Sequence, residues 1–187
     1  MAPNKYSIDI LDDFFPDQAY DDLMTYLERT PMFPGAKSHD DNDPHGHWVS
    51  ILSGTDRYNK EDATERLPYQ IMGAWKRVQS VMAYKSLVTC YMNGYTYGTE
   101  GYFHRDWQED YYSTAIVYLT RDTWNPDWGG ETVFIDDDTH EIRASILPKR
   151  NRVVVFPSKL NHCARGVTRK FNGIRRTLMF KTRKEPE

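Results

Sequence analysis

Three residues of the chain have the types and spacing of an iron ligand set: His104, Asp106 and His162. The segment 102–106 is predicted to be extended, and side chains alternate faces along a strand. His104 and Asp106 would therefore project to one side and Arg105 to the other. His162 ends another apolar run and could reach the same point from a neighbouring strand. Two imidazoles and one carboxylate leave three positions of an octahedral Fe(II) open for a co-substrate and O2, which is oxygenase chemistry.

The elements that must position these residues are mainly short strands, which follow Lys85. Apolar runs between turn residues predict seven of them: Leu87–Met92, Tyr102–Asp106, Thr114–Leu119, Thr132–Ile135, Glu141–Ile146, Arg152–Phe156 and Ile174–Lys181. Two amphipathic helices come first, one from Pro16 to Thr30-Pro31 and one over Pro68–Tyr84. Between them, Pro34–His47 has no periodicity and is predicted to be a loop. This order of elements predicts a mainly β fold with flanking helices.

Several motifs around the three residues occur in an order that is found in a known family. They are T-C-Y-M-N-G (89–94), H-R-D (104–106), W-G-G-E-T-V-F (128–134), V-V-V-F-P-S (153–158), His162 and G-I-R-R-T-L (173–178). This set resembles the iron(II)- and 2-oxoglutarate-dependent oxygenases, most closely their small prolyl-4-hydroxylase-like members. The resemblance implies a double-stranded β-helix, or jelly-roll, core. We expect a single oxygenase domain over 1–187, with a helical N-terminal part over about 1–84 and the jelly-roll motifs over about 85–182.

The resemblance also implies that 2-oxoglutarate chelates the iron and that its far carboxylate pairs with a cation. Arg175 is the candidate for this cation from its place in R-R-T-L. An arginine suits the role because it supplies a positive charge and two aligned donors together. Strand parity places Arg175, Thr177 and Met179 on the face toward the barrel interior. The opposite face, which would pack on the helices, carries Ile174, Leu178 and Phe180. Tyr91 and Thr89, on one face of the strand with the Y-x-x-G motif, and Thr177, on the face of Arg175, are further candidates for binding the co-substrate.

The implied reaction converts 2-oxoglutarate to succinate and CO2 and hydroxylates an unactivated carbon of an amino acid, a peptidyl proline or a small metabolite. It requires Fe(II), 2-oxoglutarate and O2, and ascorbate is expected to help. Related halogenases carry a small residue in place of Asp106, so hydroxylation is favoured. Three alternatives stay open: an alkylated-nucleobase demethylase of the same superfamily, a catalytically silent jelly-roll binding module, and a cupin-type metal enzyme.

Charge is distributed unevenly along the chain, whose net charge is -3. From residue 149 to the end, twelve Lys and Arg stand against two Glu, which makes this segment +10 and the rest -13. The positive segment suits an anionic ligand, whereas the negative remainder disfavours nucleic acid. The expected partner is therefore a small molecule or a peptide. No apolar run could cross a bilayer, and Cys90 and Cys163 are expected to be buried thiols, so a cytoplasmic location is predicted.

The other histidines and the tryptophans near the motifs have weaker signals. His39, His45 and His47 lie in an acidic segment with irregular spacing, and solvent exposure is expected for them. His140 follows three aspartates in a predicted turn. Trp107, Trp124 and Trp128 flank the H-R-D motif and are candidates for the wall of a substrate entrance. Gly129-Gly130-Glu131-Thr132 is predicted to be a structural turn.

Overall fold

The computed structural model describes residues 7–38, 46–54 and 62–184. These ranges contain two α-helices, α1 (Asp17–Glu28) and α2 (Tyr69–Val81), and two short 3-10 helices, Thr64–Arg66 and Pro126–Trp128. They also contain ten strands: β1 (Asp9–Leu11), β2 (Phe33–Ala36), β3 (His47–Ser53), β4 (Ser86–Tyr95), β5 (Tyr112–Leu119), β6 (Thr132–Ile135), β7 (Ile142–Ile146), β8 (Val153–Pro157), β9 (His162–Ala164) and β10 (Arg175–Arg183).

Both predicted helices are present and cover one face of the larger sheet. Pro16 precedes α1, where its fixed backbone angle suits a helix start. The buried residues of the two helices recur at helical spacing: Tyr20, Leu23, Met24 and Leu27 in α1, and Ile71, Ala74, Trp75 and Val78 in α2. Trp75 stacks on Phe180 of β10 with ring centroids 5.5 Å apart. The helices therefore buttress the strand that carries Arg175.

The strands form two antiparallel sheets that pack face to face. The larger has the order β1-β8-β5-β10-β4-β3-β2, and the smaller has the order β7-β6-β9. One apolar cluster lies between the helices and the larger sheet. Another fills the space between the two sheets: Ile116, Tyr118, Phe134, Ile146, Val154, Phe156, Leu160 and Met179. This sandwich confirms the predicted mainly β fold with flanking helices and a jelly-roll core. The two clusters also confirm the predicted alternation along β10, because Leu178 and Phe180 belong to the cluster under the helices and Met179 to the cluster between the sheets.

Two predicted segments differ from the structure. The predicted strand Tyr102–Asp106 is reduced to a single bridge between His104 and His162. Beyond the bridge, the amides of Asp106 and Trp107 both donate to the carbonyl of Ser158, so the paired ladder ends there. The irregular backbone aims the carboxylate of Asp106 where regular alternation alone would not fix it.

The predicted loop Pro34–His47 was also wrong at its ends, which belong to β2 and β3. His47 is buried and stacks on Tyr95 with ring centroids 4.7 Å apart, in contrast to the expected exposure. Its alternation with Val49 on β3 was obscured by the polar residues that precede it. His39 and His45 lie outside the described residues.

Two further predictions concern the cysteines and the membrane. Cys90 and Cys163 are buried and free, as predicted. Among the helices that the structure describes, none is long and apolar enough to cross a bilayer.

Candidate metal and co-substrate site

The predicted triad comes together at the open edge between the two sheets. His104 and His162 face each other across their bridge, with amide–carbonyl bonds of 3.0 and 2.9 Å. The Nε2 atom of His104 is 3.6 Å from Asp106 Oδ1, and that of His162 is 3.9 Å from Asp106 Oδ2. One ligand atom from each residue lies within 4.8 Å of the others, a spacing that fits one shared metal ion.

The backbone fixes which nitrogen each histidine offers. His104 Nδ1 lies 2.8 Å from the carbonyl oxygen of Tyr102, and His162 Nδ1 lies 2.9 Å from that of Leu160. A carbonyl oxygen can only accept, so both Nδ1 atoms must carry the proton. Both Nε2 lone pairs are then free for a metal, which is the tautomer that ligating histidines need. Burial lowers the pKa of His162 to about 4, although the Asp106 carboxylate opposes this shift, so the ring is neutral near pH 7.

Asp106 is held at both carboxylate oxygens. Thr114 donates its hydroxyl to Oδ2 at 2.6 Å, and the ammonium of Lys181 lies 2.6 Å from Oδ1. Burial alone would raise the pKa of Asp106, but the charge of Lys181 together with the neighbouring His104 and His162 outweighs it and holds the pKa well below its usual range. In the same way, burial alone would lower the pKa of Lys181, yet the carboxylate raises it. The pair is therefore an ionised carboxylate and an ammonium.

These donors suit Fe(II). Two neutral imidazoles and one ionised carboxylate form the facial set of non-haem iron oxygenases and leave coordination positions open. The hydroxyl and the ammonium bond to Asp106 in the way that outer partners orient a ligating carboxylate. Each carboxylate oxygen retains a lone pair for the metal after its hydrogen bond.

Arg175 is buried at 2% exposure, and its partners are neutral. Its Nε donates to the carbonyl oxygen of Gly130 at 2.7 Å, and its Nη2 donates to Thr132 Oγ1 at 3.0 Å. The rings of Tyr95 and Tyr118 each lie 5.4 Å from its guanidinium carbon. Within 7–38, 46–54 and 62–184, no carboxylate lies within salt-bridge distance of this guanidinium. Since an uncompensated buried charge is costly, the site is built for an anion.

The G-G-E-T motif turns out to serve Arg175. Gly129 and Gly130 have φ values of 68° and 77°, a region that glycine adopts without strain. This turn aims the Gly130 carbonyl at the guanidinium and starts β6, which supplies Thr132. A Cβ at Gly130 would lie 3.3 Å from Arg175 Cδ, tighter than most such contacts. The motif is structural, as predicted, and its structure positions a candidate ligand-binding residue.

Two cavities meet at the triad. The inner one is lined by Arg175, Thr177, Thr132 and His162, among others. The outer one has a volume of about 210 Å³, and its lining includes Lys181, Trp107, Val49 and Ile51. Residues that line both cavities are Tyr91, Asn93, Tyr95, His104 and Asp106. A molecule in either cavity would therefore reach the candidate metal ligands.

The structure separates the residues that the sequence assigned to the co-substrate. Thr177 lines the inner cavity with Arg175, and Tyr91 lies at the junction of the two cavities. Thr89 lines the outer cavity but not the inner one. Its hydroxyl lies 3.0 and 2.9 Å from the carbonyl oxygens of Ser53 and Gly54 and donates to them. Thr89 therefore lies away from Arg175, because the two residues are at opposite ends of the paired strands β4 and β10.

Three residues of the site were missed. Tyr95 is paired with Arg175 across β4 and β10, and Asn93 has a buried Oδ1 without a partner among the described residues. Both continue the face of Thr89 and Tyr91, and the Y-x-x-G pattern recurs at 95–98. The predicted strand stopped at Met92 because Asn93-Gly94 has a turn composition. Lys181 has the parity of Arg175 on β10, which is the signal that could have identified it.

The predicted aromatic wall is divided. Trp107 lines the outer cavity, whereas Trp124 and Trp128 pack on Phe171 with ring centroids 4.7 and 5.0 Å apart. Arg105 points outward and pairs with Asp137 at 2.6 Å, so it ties the H-R-D segment to the turn after β6. His140 lies in the same turn, as predicted, with a φ of 61°.

The site geometry agrees with a family match. Residues 87–181 match the model of the 2OG-Fe(II) oxygenase superfamily, which is just over half of the chain. The chain belongs to this superfamily and is an Fe(II)- and 2-oxoglutarate-dependent oxygenase. A search of curated protein sequences found no significant match.

Solved structures share the fold at low sequence identity. A prolyl-4-hydroxylase from Pseudomonas putida is 14% identical, with a TM-score of 0.70 over 96% of this chain and 94% of that one. A prolyl hydroxylase from Trichoplax adhaerens, in complex with a hypoxia inducible factor peptide fragment, is 16% identical, with a TM-score of 0.63 over 94% and 83%. HygX from Streptomyces hygroscopicus, with nickel and 2-oxoglutarate bound, is 13% identical, with a TM-score of 0.65 over 96% and 84%.

Proposed function

We propose that this oxygenase hydroxylates an unactivated carbon of an amino acid, a peptidyl proline or a small metabolite and releases succinate and CO2. His104, Asp106 and His162 hold the Fe(II), and Arg175 binds the far carboxylate of 2-oxoglutarate. The observation that carries the proposal is the buried, uncompensated charge of Arg175 in a cavity that opens onto the triad. A dicarboxylate that chelates the metal with one end would place its other carboxylate in that cavity.

The remaining residues of the inner cavity divide the recognition of 2-oxoglutarate. Thr132 and the Gly130 carbonyl lock the guanidinium, so little rotamer entropy is lost when the anion binds. Thr177 is adjacent on the same face, and Tyr95 covers the guanidinium. Tyr91 and Asn93, at the junction, are placed to contact the end of the co-substrate nearer the metal. Thr89 belongs to the wall of the outer cavity in this assignment.

The bound iron supplies the activation of O2 and the oxidative decarboxylation. The protein holds the metal in a buried pocket and places the substrate in the outer cavity, against His104 and Asp106. The side chains of Val49 and of the half-exposed Ile51 give that cavity an apolar surface on one wall. Pockets for drug-sized ligands occupy about 300–1,000 Å³. The 210 Å³ formed by the described residues therefore suits a small molecule or one side chain of a peptide.

The charge distribution supports a small substrate over nucleic acid. Six of the twelve basic residues after position 148 have carboxylate partners, in the pairs Lys149–Asp12, Arg150–Asp17, Arg152–Asp12, Lys159–Asp110, Lys170–Asp127 and Lys181–Asp106. A seventh, Arg175, is buried. The five aspartates in these pairs offset about half of the +10 that the segment carries in the sequence. A polyanion would need unpaired surface cations to release counterions.

The proposal is tested by succinate release from 2-oxoglutarate in the presence of Fe(II) and ascorbate. Pooled amino acids, proline-rich peptides and methylated oligonucleotides are added in separate reactions. A pool of amino acids or peptides should raise the rate above the uncoupled background, and mass spectrometry should detect a gain of one oxygen atom. Stimulation by the oligonucleotides alone would favour the demethylase alternative.

A further inference from the structure

Two side chains that line the outer cavity, Lys181 and Trp107, carry hydrogen-bond donors without a full set of partners among the described residues. The ammonium of Lys181 has three N–H groups, and its side-chain partners among the described residues are Asp106, at 2.6 Å, and Tyr91. One N–H is left for a ligand. The indole Nε1 of Trp107 is buried and has no partner within the described part of the chain. Both side chains line the cavity.

The two donors are fixed in place. Trp107 stacks on Tyr112 with ring centroids 4.2 Å apart and an interplanar angle of 6°. Its amide is bonded to the Ser158 carbonyl, one residue beyond the metal ligand Asp106. Lys181 is 9% exposed at its side chain and lies over the ring of Tyr91. A buried donor without an acceptor costs free energy, so both positions favour a ligand that brings acceptors.

The charges around the outer cavity also favour an anionic ligand. Among the described residues that line it, the one carboxylate is Asp106, which is already engaged by Thr114 and Lys181. Lys37 adds a second ammonium at the exposed rim. When the 2-oxoglutarate dianion balances Fe(II), the cations that remain leave the loaded site positive. A cationic substrate group would meet no free partner there, whereas an anionic one would be attracted.

We propose that the outer cavity binds its substrate through a carboxylate group, which accepts hydrogen bonds from Lys181 and from Trp107 Nε1, with the apolar part of the substrate against Val49 and Ile51. This inference rests on the proposed function, because it assigns the substrate class of the same site. It narrows the candidates to small acids and to amino acids or peptides that present a free carboxylate near the reacting carbon.

The test uses matched pairs of an acid and its neutral primary amide: isovalerate, N-acetylproline and N-acetylleucine. Binding is measured by calorimetry under nitrogen, with the enzyme saturated in Fe(II) and 2-oxoglutarate, so that no turnover occurs. At least one acid should bind tenfold or more tightly than its amide, since hydrogen bonds to charged groups are the strong ones. Lys181→Met should bring that ratio to within threefold of unity, and Lys181→Arg should retain part of it.

Two further variants keep the test decisive. Trp107→Phe retains the stacking on Tyr112 but removes the indole N–H, and it should lower the acid-to-amide ratio by threefold or more. Lys170→Met removes one surface charge outside both cavities and should leave the ratio unchanged. The inference is overturned if no acid is preferred over its amide, or if the preference survives in both Lys181→Met and Trp107→Phe. Failure of the proposed function looks different, because oligonucleotides alone would then stimulate succinate release by the parent enzyme, or the charge-transfer absorption of its Fe(II)–2-oxoglutarate chelate would be missing.

Discussion

Arg175 and Lys181 are two buried cations on one face of β10, yet they have opposite electrostatic settings. Arg175 bonds to a carbonyl and a hydroxyl, and its positive charge is uncompensated among the described residues. Lys181 lies 2.6 Å from a carboxylate. The first arrangement is costly until an anion arrives, whereas the second is complete and leaves one donor to spare. The contrast supports our proposal that Arg175 binds the co-substrate and that Lys181 primarily orients Asp106.

The largest effect should come from the three proposed metal ligands. We expect His162→Ala to abolish 2-oxoglutarate turnover and to weaken Fe(II) binding, because a third of the protein's ligand set is lost. The same holds for His104→Ala and Asp106→Ala. Succinate release and a metal titration measure the two effects. The matched control is His140→Ala, in the exposed turn, and full activity with bound iron in His162→Ala would refute the triad.

The second effect separates two adjacent arginines. Arg175→Ala strands the far carboxylate of 2-oxoglutarate in a buried cavity, at a cost of about 3–5 kcal/mol, so its KM for 2-oxoglutarate should rise a hundredfold or more. Arg176 lies on the opposite face of β10, where its charge adds to the larger effect of Arg121 in lowering the pKa of Glu28. Arg176→Ala should change this KM by less than about threefold. Steady-state titration of 2-oxoglutarate measures both KM values, and equal values in the two variants would contradict the assignment of Arg175 to the far carboxylate.

A smaller effect tests how Asp106 is held on the side away from Lys181. Thr114→Val keeps the shape of the side chain and removes the hydroxyl that donates to Oδ2 at 2.6 Å. Loss of such an outer partner should lower the affinity for Fe(II) by about tenfold or more. Competition with a fluorescent chelator measures this affinity. Thr25→Val, on the exposed surface of α1, is the control, and an unchanged affinity in Thr114→Val would mean that Lys181 alone positions the carboxylate.

The smallest effect should come from the carboxylate–cation pair Asp12–Arg152, which lies outside both cavities. It is the exposed counterpart of the buried Asp106–Lys181 pair and contributes less to stability for that reason. The hydrogen bond from Arg152 lowers the pKa of Asp12 to about 2. A depressed pKa means that the stabilisation is present above the pKa of the unfolded chain, near 3.9, and is lost as the pH falls from there toward 2. Because solvent screens this exposed pair, Asp12→Asn should cost less than about 1 kcal/mol at pH 7. Urea titrations at pH 7 and pH 3.5 should show the difference shrinking at the lower pH, and a constant difference would contradict it.

Sequence patterns were sufficient to predict which three residues come together as candidate metal ligands, and to predict most of the elements. The spacing of H-R-D and His162 predicted the triad, and alternation along β10 placed Arg175, Thr177 and Met179 on the interior face. These predictions depend on local periodicity, since a strand reverses the direction of its side chains at every residue. The helices were found for the same reason, because their buried residues repeat every three to four positions.

Other features required the folded chain. Residues 102–106 were predicted as a strand from composition, but one bridge to His162 and two bonds to the Ser158 carbonyl shape them instead. The strands β2, β3 and β9 were missed because they are short or follow polar segments, and pairing with neighbours stabilises them.

The sequence by itself determined the reaction class, because the candidate iron ligands and Arg175 are residue types whose order and spacing match the superfamily. Tertiary structure decided the rest. It placed Thr89 on the outer cavity, away from Arg175, brought Tyr95 opposite Arg175, and joined Lys181 to Asp106 although 75 positions part them in the chain. The physical reason is that charge pairing and burial depend on distance in space, which only the packing of β4, β5 and β10 fixes. Periodicity gives the face of a side chain, and the fold gives its partner.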